Sequence, residues 1–290
     1  MNKNIRITGF ADEMVQELEG QIEGLKILHM SYVEMRGVNG DNLNFHTNEQ
    51  VKEIKKQLDA NGIRLSALGS PIGKIGITDD FEPHFEGYKR AVEIAHMMDT
   101  PNIRMFSFYL PENEPLSAYE GLVMERMGRF VDYATKNDIV LLHENEKGIY
   151  GEKAKECKKL MDTFYGEHFK AIFDFANFVQ AKENTLEAYK DLKEYIAYIH
   201  VKDALLADGK VVPAGYGDGH VAEILKDLLA NGFDGFLSLE PHLFNFVGFA
   251  ELEKDGLSIQ DTENKVLSGT EAFTLAYNAL MKILAEIERC

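Results

Sequence analysis

Eight times along its 290 residues the chain repeats one unit, a short apolar, β-branched or aromatic run followed by an amphipathic helical stretch. The expected strands are Ile5–Gly9, Tyr32–Arg36, Arg64–Leu68, Ile103–Phe106, Ile139–Glu144, Ala171–Asp174, Tyr198–Lys202 and Phe236–Glu240. Between them apolar residues recur at helical spacing: Val51, Ile54 and Leu58, then Phe85, Tyr88, Val92 and Ala95. The last stretch is clearest, with Phe273, Ala276, Tyr277, Leu280, Ile283, Leu284 and Ile287 on one stripe. Strict strand–helix alternation implies a parallel sheet, and eight units favour closure into a (β/α)8 barrel over an open doubly wound sheet, the structural alternative. No Pro/Gly/Ser-rich linker divides the chain, so one α/β domain over residues 1–290 is expected. Asn61-Gly62 and Asn231-Gly232, each between a helix and the next strand, read as helix C-cap signals.

Charge and cysteine usage narrow the function. A formal net charge of −17 would repel nucleic acid phosphates, so no nucleic acid partner is expected. No apolar run approaches the roughly 18 residues that span a bilayer, and MNKNIRITGF lacks the long apolar stretch of a signal peptide. The chain therefore reads as cytoplasmic, with no membrane partner. Cys157 and Cys290 alone cannot build a disulfide framework or a thiolate zinc site, so any metal must be held by oxygen and imidazole.

A parallel strand buried on both sides should be apolar throughout, so ionisable residues at strand ends require a reason. Strand five ends in His143-Glu144-Asn145-Glu146 and strand six in Asp174. Strand seven ends in His200 followed by Lys202-Asp203, and strand eight in Glu240 followed by Pro241-His242. These are the ends that line the active-site face of a barrel. Three carboxylates and an imidazole converging there would repel one another, and a divalent cation resolves the conflict. Glu144, Asp174, His200 and Glu240 form an O3N set suited to one Mn2+, the ion favoured, or to Zn2+, Mg2+ or Co2+.

At these residues the sequence resembles the xylose isomerase-like TIM barrels of the sugar phosphate isomerase/epimerase superfamily, which includes ketose 3-epimerases, inosose dehydratases and endonuclease IV. The likeness runs over essentially the whole chain. It is carried by Leu-Leu-His-Glu-Asn (Leu141 to Asn145), Phe-Asp-Phe-Ala-Asn (Phe173 to Asn177), Ile-His-Val-Lys-Asp (Ile199 to Asp203) and Leu-Glu-Pro-His (Leu239 to His242). The resemblance implies that Glu144, Asp174, His200 and Glu240 bind the metal, with Glu144 and Glu240 doubling as catalytic acid and base. Two departures stand out: Asn177 occupies the place of a frequent family His, and Leu205 to Lys210 lacks the Arg that ketose 3-epimerases carry. Endonuclease IV needs a larger set of His and acidic zinc ligands, whereas this chain has nine histidines, of which His29, His84 and His96 are placed on helices.

The chemistry expected is proton abstraction next to a carbonyl through an enediolate, on a sugar or polyol whose carbonyl the metal polarises. Return of the proton from the opposite face epimerises, return to the neighbouring carbon isomerises, and loss of a β-hydroxyl makes the enzyme an inosose-type dehydratase. A non-catalytic sugar-binding barrel would not require Glu on opposite sides of the metal. Glu34, Arg36, Lys74, Arg104, His143, Asn177, Lys202 and His242 are the expected substrate contacts, with His143 and Lys202 also able to act as hydrogen-bonding neighbours of the ligands. Glu34 and Arg36, at i and i+2 on one strand face, could instead pair with each other. Lys74 sits in the Pro/Gly-framed loop Ser70-Pro71-Ile72-Gly73-Lys74, and Asn42 to Thr47 is a candidate lid. Gly215, Gly217 and Gly219 resemble a phosphate loop but lack its strand–helix context, so turn glycines are expected and the substrate is taken as unphosphorylated. The apolar segment 244–249 is expected to close the pocket or lie between subunits of a possible homo-oligomer.

Overall fold

The computed structural model describes residues 5–243 and 267–289, so segment 244–249 and Cys290 lie outside the described residues. The eight expected strands are all present: β1 (Arg6–Gly9), β2 (Tyr32–Met35), β3 (Arg64–Gly69), β4 (Asn102–Met105), β5 (Val140–Glu144), β6 (Phe169–Asp174), β7 (Ile196–Val201) and β8 (Phe236–Leu239). Their ladder runs β1-β8-β7-β6-β5-β4-β3-β2, every pair parallel. Since β1 also packs beside β2, the sheet curls into a nearly closed barrel and the open-sheet alternative falls. Arg36, Phe106, Lys202 and Glu240 sit just beyond the strands rather than in them, because the backbone there already turns into the mouth loops.

The helices are α1 (Leu18–Ile27), α2 (Asn48–Ala60), α3 (Phe81–Met97), α4 (Glu120–Lys136), α5 (Ala154–Phe164), α6 (Phe175–Gln180), α7 (Thr185–Leu192), α8 (Val221–Ala230) and α9 (Gly269–Ile287). The apolar stripes face inward as their spacing requires: Val51, Ile54 and Leu58 are buried, as are Phe85, Tyr88, Val92 and Ala95. On α9, Phe273, Ala276, Leu280, Ile283 and Leu284 are buried, while Tyr277 and Ile287 are half-buried at its flanks. Helix α2 begins with a capping box between Thr47 and Gln50. It ends at Gly62, φ +70°, where Ile63 N–H reaches Leu58 O at 3.0 Å and Gly62 N–H reaches Asp59 O at 3.0 Å, so the Asn-Gly signal is a C-cap. His29 lies past the end of α1 with φ 54°, in the turn rather than on the helix; His84 and His96 are on α3. None of the described helices is long and apolar enough to cross a membrane.

The barrel interior is layered along its axis. Ala67, Leu142, Ile172, Tyr198 and Phe236 form an apolar plug toward the N-terminal ends of the strands. Two residues further along β7 and β8, the inward side chains are polar, because a period of two returns each strand to the same face. These are His200 and Ser238, and β1, β2 and β3 add Thr8, Glu34 and Ser66, all buried.

The mouth loops are pinned by local chemistry. In the loop after β3, Ser70 Oγ donates to Arg104 O at 2.5 Å and Gly73 N–H donates to His84 Nε2 at 2.8 Å. Gly73 takes φ +90°, and a Cβ there would collide with the Phe106 carbonyl, so only glycine fits. His84 stays neutral in the fold, its pKa lowered to about 4 by burial and then by nearby Arg126. Because its unfolded pKa is about 6.5, the unfolded chain binds the proton first. The contribution is therefore complete above pH 6.5 and is lost as pH falls toward 4. We expect H84Q, whose amide oxygen can still accept from Gly73, to lose less stability than wild type between pH 6.5 and 4.5 in urea melts. Equal losses would remove His84 from the acid sensitivity.

Candidate metal centre

Four strand ends bring the predicted quartet together. Glu144 and Asp174 are the last residues of β5 and β6, His200 is the penultimate residue of β7, and Glu240 directly follows β8. All four are buried, at 2% exposure or less, and each offers one ligand atom such that the four atoms lie within 4.8 Å of one another. His200 Nδ1 is 2.9 Å from Glu144 Oε1, 3.4 Å from Glu240 Oε2 and 3.9 Å from Asp174 Oδ2. Asn145 fixes the spacing between two of these strands: its Nδ2 donates to Asp174 O at 3.0 Å and its Oδ1 accepts from Asp174 N–H at 2.9 Å. Asp174 in turn caps α6, its Oδ1 accepting from Asn177 N–H at 2.8 Å.

Around the quartet lie expected substrate contacts together with two residues not expected there, Asp12 and Glu13. Arg104 Nη1 reaches Glu144 Oε2 at 3.3 Å, and Lys202 Nζ reaches Glu240 Oε2 at 2.9 Å and Asp174 Oδ2 at 3.2 Å. Asn177 Nδ2 donates to Asn145 O at 2.8 Å and lies 3.4 Å from Glu144 Oε1. Arg36 does not pair with Glu34. Its guanidinium contacts Asp12 at 2.9 Å, and Glu13 and Glu240 at 3.4 Å each. His242 Nε2 stands 3.4 Å from Glu240 and 3.5 Å from Glu13. Asp12 and Glu13 follow β1 in a short 3-10 turn, and their only sequence signal was an acidic pair just past a strand end.

Two expected contacts, His143 and Glu34, are placed elsewhere, and Lys74 stands over the mouth as its loop implied. His143 is one residue from Glu144, so strand alternation turns it to the outer face of the barrel. There it meets Ser107 Oγ at 3.0 Å, and burial lowers its pKa to about 4, leaving it neutral. Glu34 lies below the quartet, fully buried. Lys74 is at the rim, 2.9 Å from Glu146 and 4.3 Å above the Phe106 ring, tying the loops after β3 and β5. The candidate lid, Asn42 to Thr47, contains a short 3-10 turn (Leu43–Phe45), with His46 O held by Arg90 at 2.8 Å.

The glycine-rich segment is a filled nest. Asp203 accepts N–H bonds from Ala204, Gly215, Gly217 and Gly219 at 2.9–3.0 Å, so the amides a phosphate would need are already engaged. A Cβ on Gly217 or Gly219 would lie 2.5 or 2.6 Å from the Asp203 carboxylate, which is why glycine stands there.

Electrostatics supplies the fit test for a metal. Side-chain cations already contact the quartet, so repulsion among three carboxylates is not by itself the argument. The buried cluster holds six carboxylates (Asp12, Glu13, Glu34, Glu144, Asp174, Glu240) against three permanent cations (Arg36, Arg104, Lys202). A protonated His242 and one divalent ion, with His200 neutral as its ligand, would offset that excess. Burial works to lower the His200 pKa, but Glu144 and Glu34 raise it well above its usual value, so with no ion bound a proton on that ring supplies part of the compensation. Burial and Lys202 work to lower the His242 pKa, yet Glu13 and Glu240 hold it at about 9. Burial pushes Asp174 up to about 7 despite Lys202, and its Oδ2 accepts no hydrogen bond among the described residues. A buried carboxylate oxygen that accepts no hydrogen bond among the described residues, with the Lys202 ammonium 3.2 Å away and an imidazole nitrogen and two further carboxylates facing it, suits an oxygen-rich divalent site.

Comparison with known proteins adds to this geometry. The family model described as xylose isomerase-like TIM barrel matches residues 27–258. The uncharacterized protein YihM of Escherichia coli (strain K12) is 31% identical over 88 residues, 28% of this chain and about a quarter (27%) of that protein. An L-ribulose 3-epimerase structure superposes with a TM-score of 0.74 at 14% identity, covering 98% of this chain and 96% of the other. The probable 3-DHS dehydratase AsbF of Bacillus anthracis superposes with a TM-score of 0.72 at 15% identity, covering 97% and 98%. At these identities the likeness to the two structures is one of fold.

Proposed function

The chain belongs to the family of xylose isomerase-like TIM barrels, and on that premise we propose that it is a divalent-metal-dependent sugar isomerase or epimerase that moves a proton beside a carbonyl. One observation carries the reading. Glu144 and Glu240 stand on the two flanking strands of the quartet, with Asp174 and His200 between them in ladder order. Two carboxylates on opposite flanks can address opposite faces of a planar intermediate, which inversion requires and simple sugar binding does not.

Glu144, Asp174, His200 and Glu240 would hold the ion, with Mn2+ favoured and Zn2+, Mg2+ or Co2+ compatible. When bound, it supplies Lewis-acid polarisation of the substrate carbonyl. Burial would raise the Glu144 pKa, but the His200 and Arg104 cations hold it at about 2, so its carboxylate is ionised; so weak a base needs the substrate C–H acidified by a metal-polarised carbonyl. Glu240 touches two groups that carry protons, Lys202 at 2.9 Å and His242 at 3.4 Å, which suits it to return one. Arg36, Arg104, Lys202, His242 and Asn177 are then the groups available to sugar hydroxyls, with Lys74 at the rim.

The Lys202–Glu240–His242 cluster also favours a second reading, a keto-polyol dehydratase of the inosose type, because it could protonate a departing hydroxyl. Both readings are tested by following a panel of ketoses and inososes in D2O by NMR with Mn2+ present. Exchange at the carbon beside the carbonyl without loss of water marks an isomerase or epimerase, and loss of water marks the dehydratase. Neither event with any member of the panel would count against both.

A further inference from the structure

We infer that Glu34 is a positioning residue that fixes how His200 presents itself to the ion, rather than a substrate contact. The inference rests on the metal reading above.

Glu34 is 0% exposed on the barrel axis, below the quartet and above the apolar plug. Its carboxylate oxygens lie 3.1 and 3.3 Å from His200 Nε2, while Oε2 also accepts from Tyr198 OH at 2.9 Å and Ser238 Oγ at 2.6 Å. The hydroxyls are themselves held. Ser66 Oγ lies 2.9 Å from Tyr198 OH and 2.8 Å from Thr8 Oγ1, and donates to Val33 O at 3.1 Å. Four strands besides that of His200 therefore brace one carboxylate beneath the ring. The ring is also flanked edge-on by Phe10 and Tyr198, with centroids 5.5 and 5.8 Å away.

The consequence concerns which nitrogen carries the proton. The carboxylate oxygen nearest Nε2 already accepts from two hydroxyls, so Nε2 is placed to donate to it; the reverse tautomer would aim a lone pair at that oxygen. An ion bound there would displace the Nδ1 proton and take that lone pair, on the side where Glu144, Asp174 and Glu240 converge. A carboxylate behind a ligating imidazole also raises its basicity, and loss of such a partner typically weakens metal binding about 10- to 100-fold. Substrate reaching Glu34 would have to displace the quartet itself.

The test titrates Mn2+ into wild type, E34A, E34Q and S66A by calorimetry and records the visible spectra of the Co2+-loaded proteins. We expect E34A to bind about 10- to 100-fold more weakly with altered Co2+ bands, and E34Q to lie between, since its amide oxygen still accepts from Nε2. S66A, which loosens the stack without touching His200, should melt earlier but bind as wild type does. Unchanged affinity in both E34A and E34Q overturns the inference, and so does an S66A loss equal to that of E34A. A wild type that takes up no ion overturns the metal reading, with this inference falling alongside it. That failure is recognised by the silence of the parent rather than by any difference among variants.

Discussion

Replacing Glu144 or Glu240 by Gln is expected to lower solvent deuterium incorporation into the substrate by about 10²- to 10⁴-fold, the contribution of a positioned acid or base. The substitution is chosen because Gln keeps the volume and one ligating oxygen while removing the ability to take up a proton. Each of these residues is also expected to hold the ion, so the comparison is made at saturating Mn2+ with bound metal measured for every variant. Arg104 and His200 pair with Glu144, and Arg36, Lys202 and His242 pair with Glu240, so neutralising either carboxylate leaves those buried partners short of counter-charge. A variant that carries its metal and still exchanges at the wild-type rate would exclude that residue from proton transfer.

The second large effect is on stability. Asp203→Ala leaves the N–H groups of Ala204, Gly215, Gly217 and Gly219 without their shared acceptor. A buried donor left unsatisfied costs about 1–3 kcal/mol. Water can recover part of this where the loop opens, so a net loss of about 3 kcal/mol or more is expected. For a chain of this size that is a fall in Tm of roughly 5 °C, with D203N milder because one acceptor oxygen remains. Scanning calorimetry reads the change. Wild-type melting of D203A would show that the nest is not what orders the loop between β7 and α8.

Much of the fold was legible because its signal is local and repeated. The eight strands follow from apolar runs separated by helical spacing, and their ends are displaced by at most two residues from expectation. The quartet was legible for a related reason, since an ionisable residue at the end of a buried strand has few bland explanations when four successive strands share it. His143 shows an avoidable error: the period of two that sends Glu144 inward sends its neighbour outward, and that rule needs no coordinates.

Other features were not legible because they join distant parts of the chain. Asp12 and Glu13 enter the cluster through Arg36, which reaches across from the end of β2. The pairing of Glu34 with His200, Tyr198 and Ser238 depends on barrel closure, which brings strands two, seven and eight around one axis. Likewise, Gly215, Gly217 and Gly219 read as turn residues, but the acceptor that explains them lies upstream in Asp203. In each case residue type was informative and the partner was not.

A divalent ion at the ends of β5 to β8 is what the proposed chemistry cannot do without. Anomalous diffraction at the manganese edge, from crystals grown with Mn2+, tests it most directly. One strong peak per chain is expected, within bonding distance of oxygens of Glu144, Asp174 and Glu240 and of His200 Nδ1. A quartet that shows no peak at saturating Mn2+, with Lys202 still seated between Asp174 and Glu240, would contradict it.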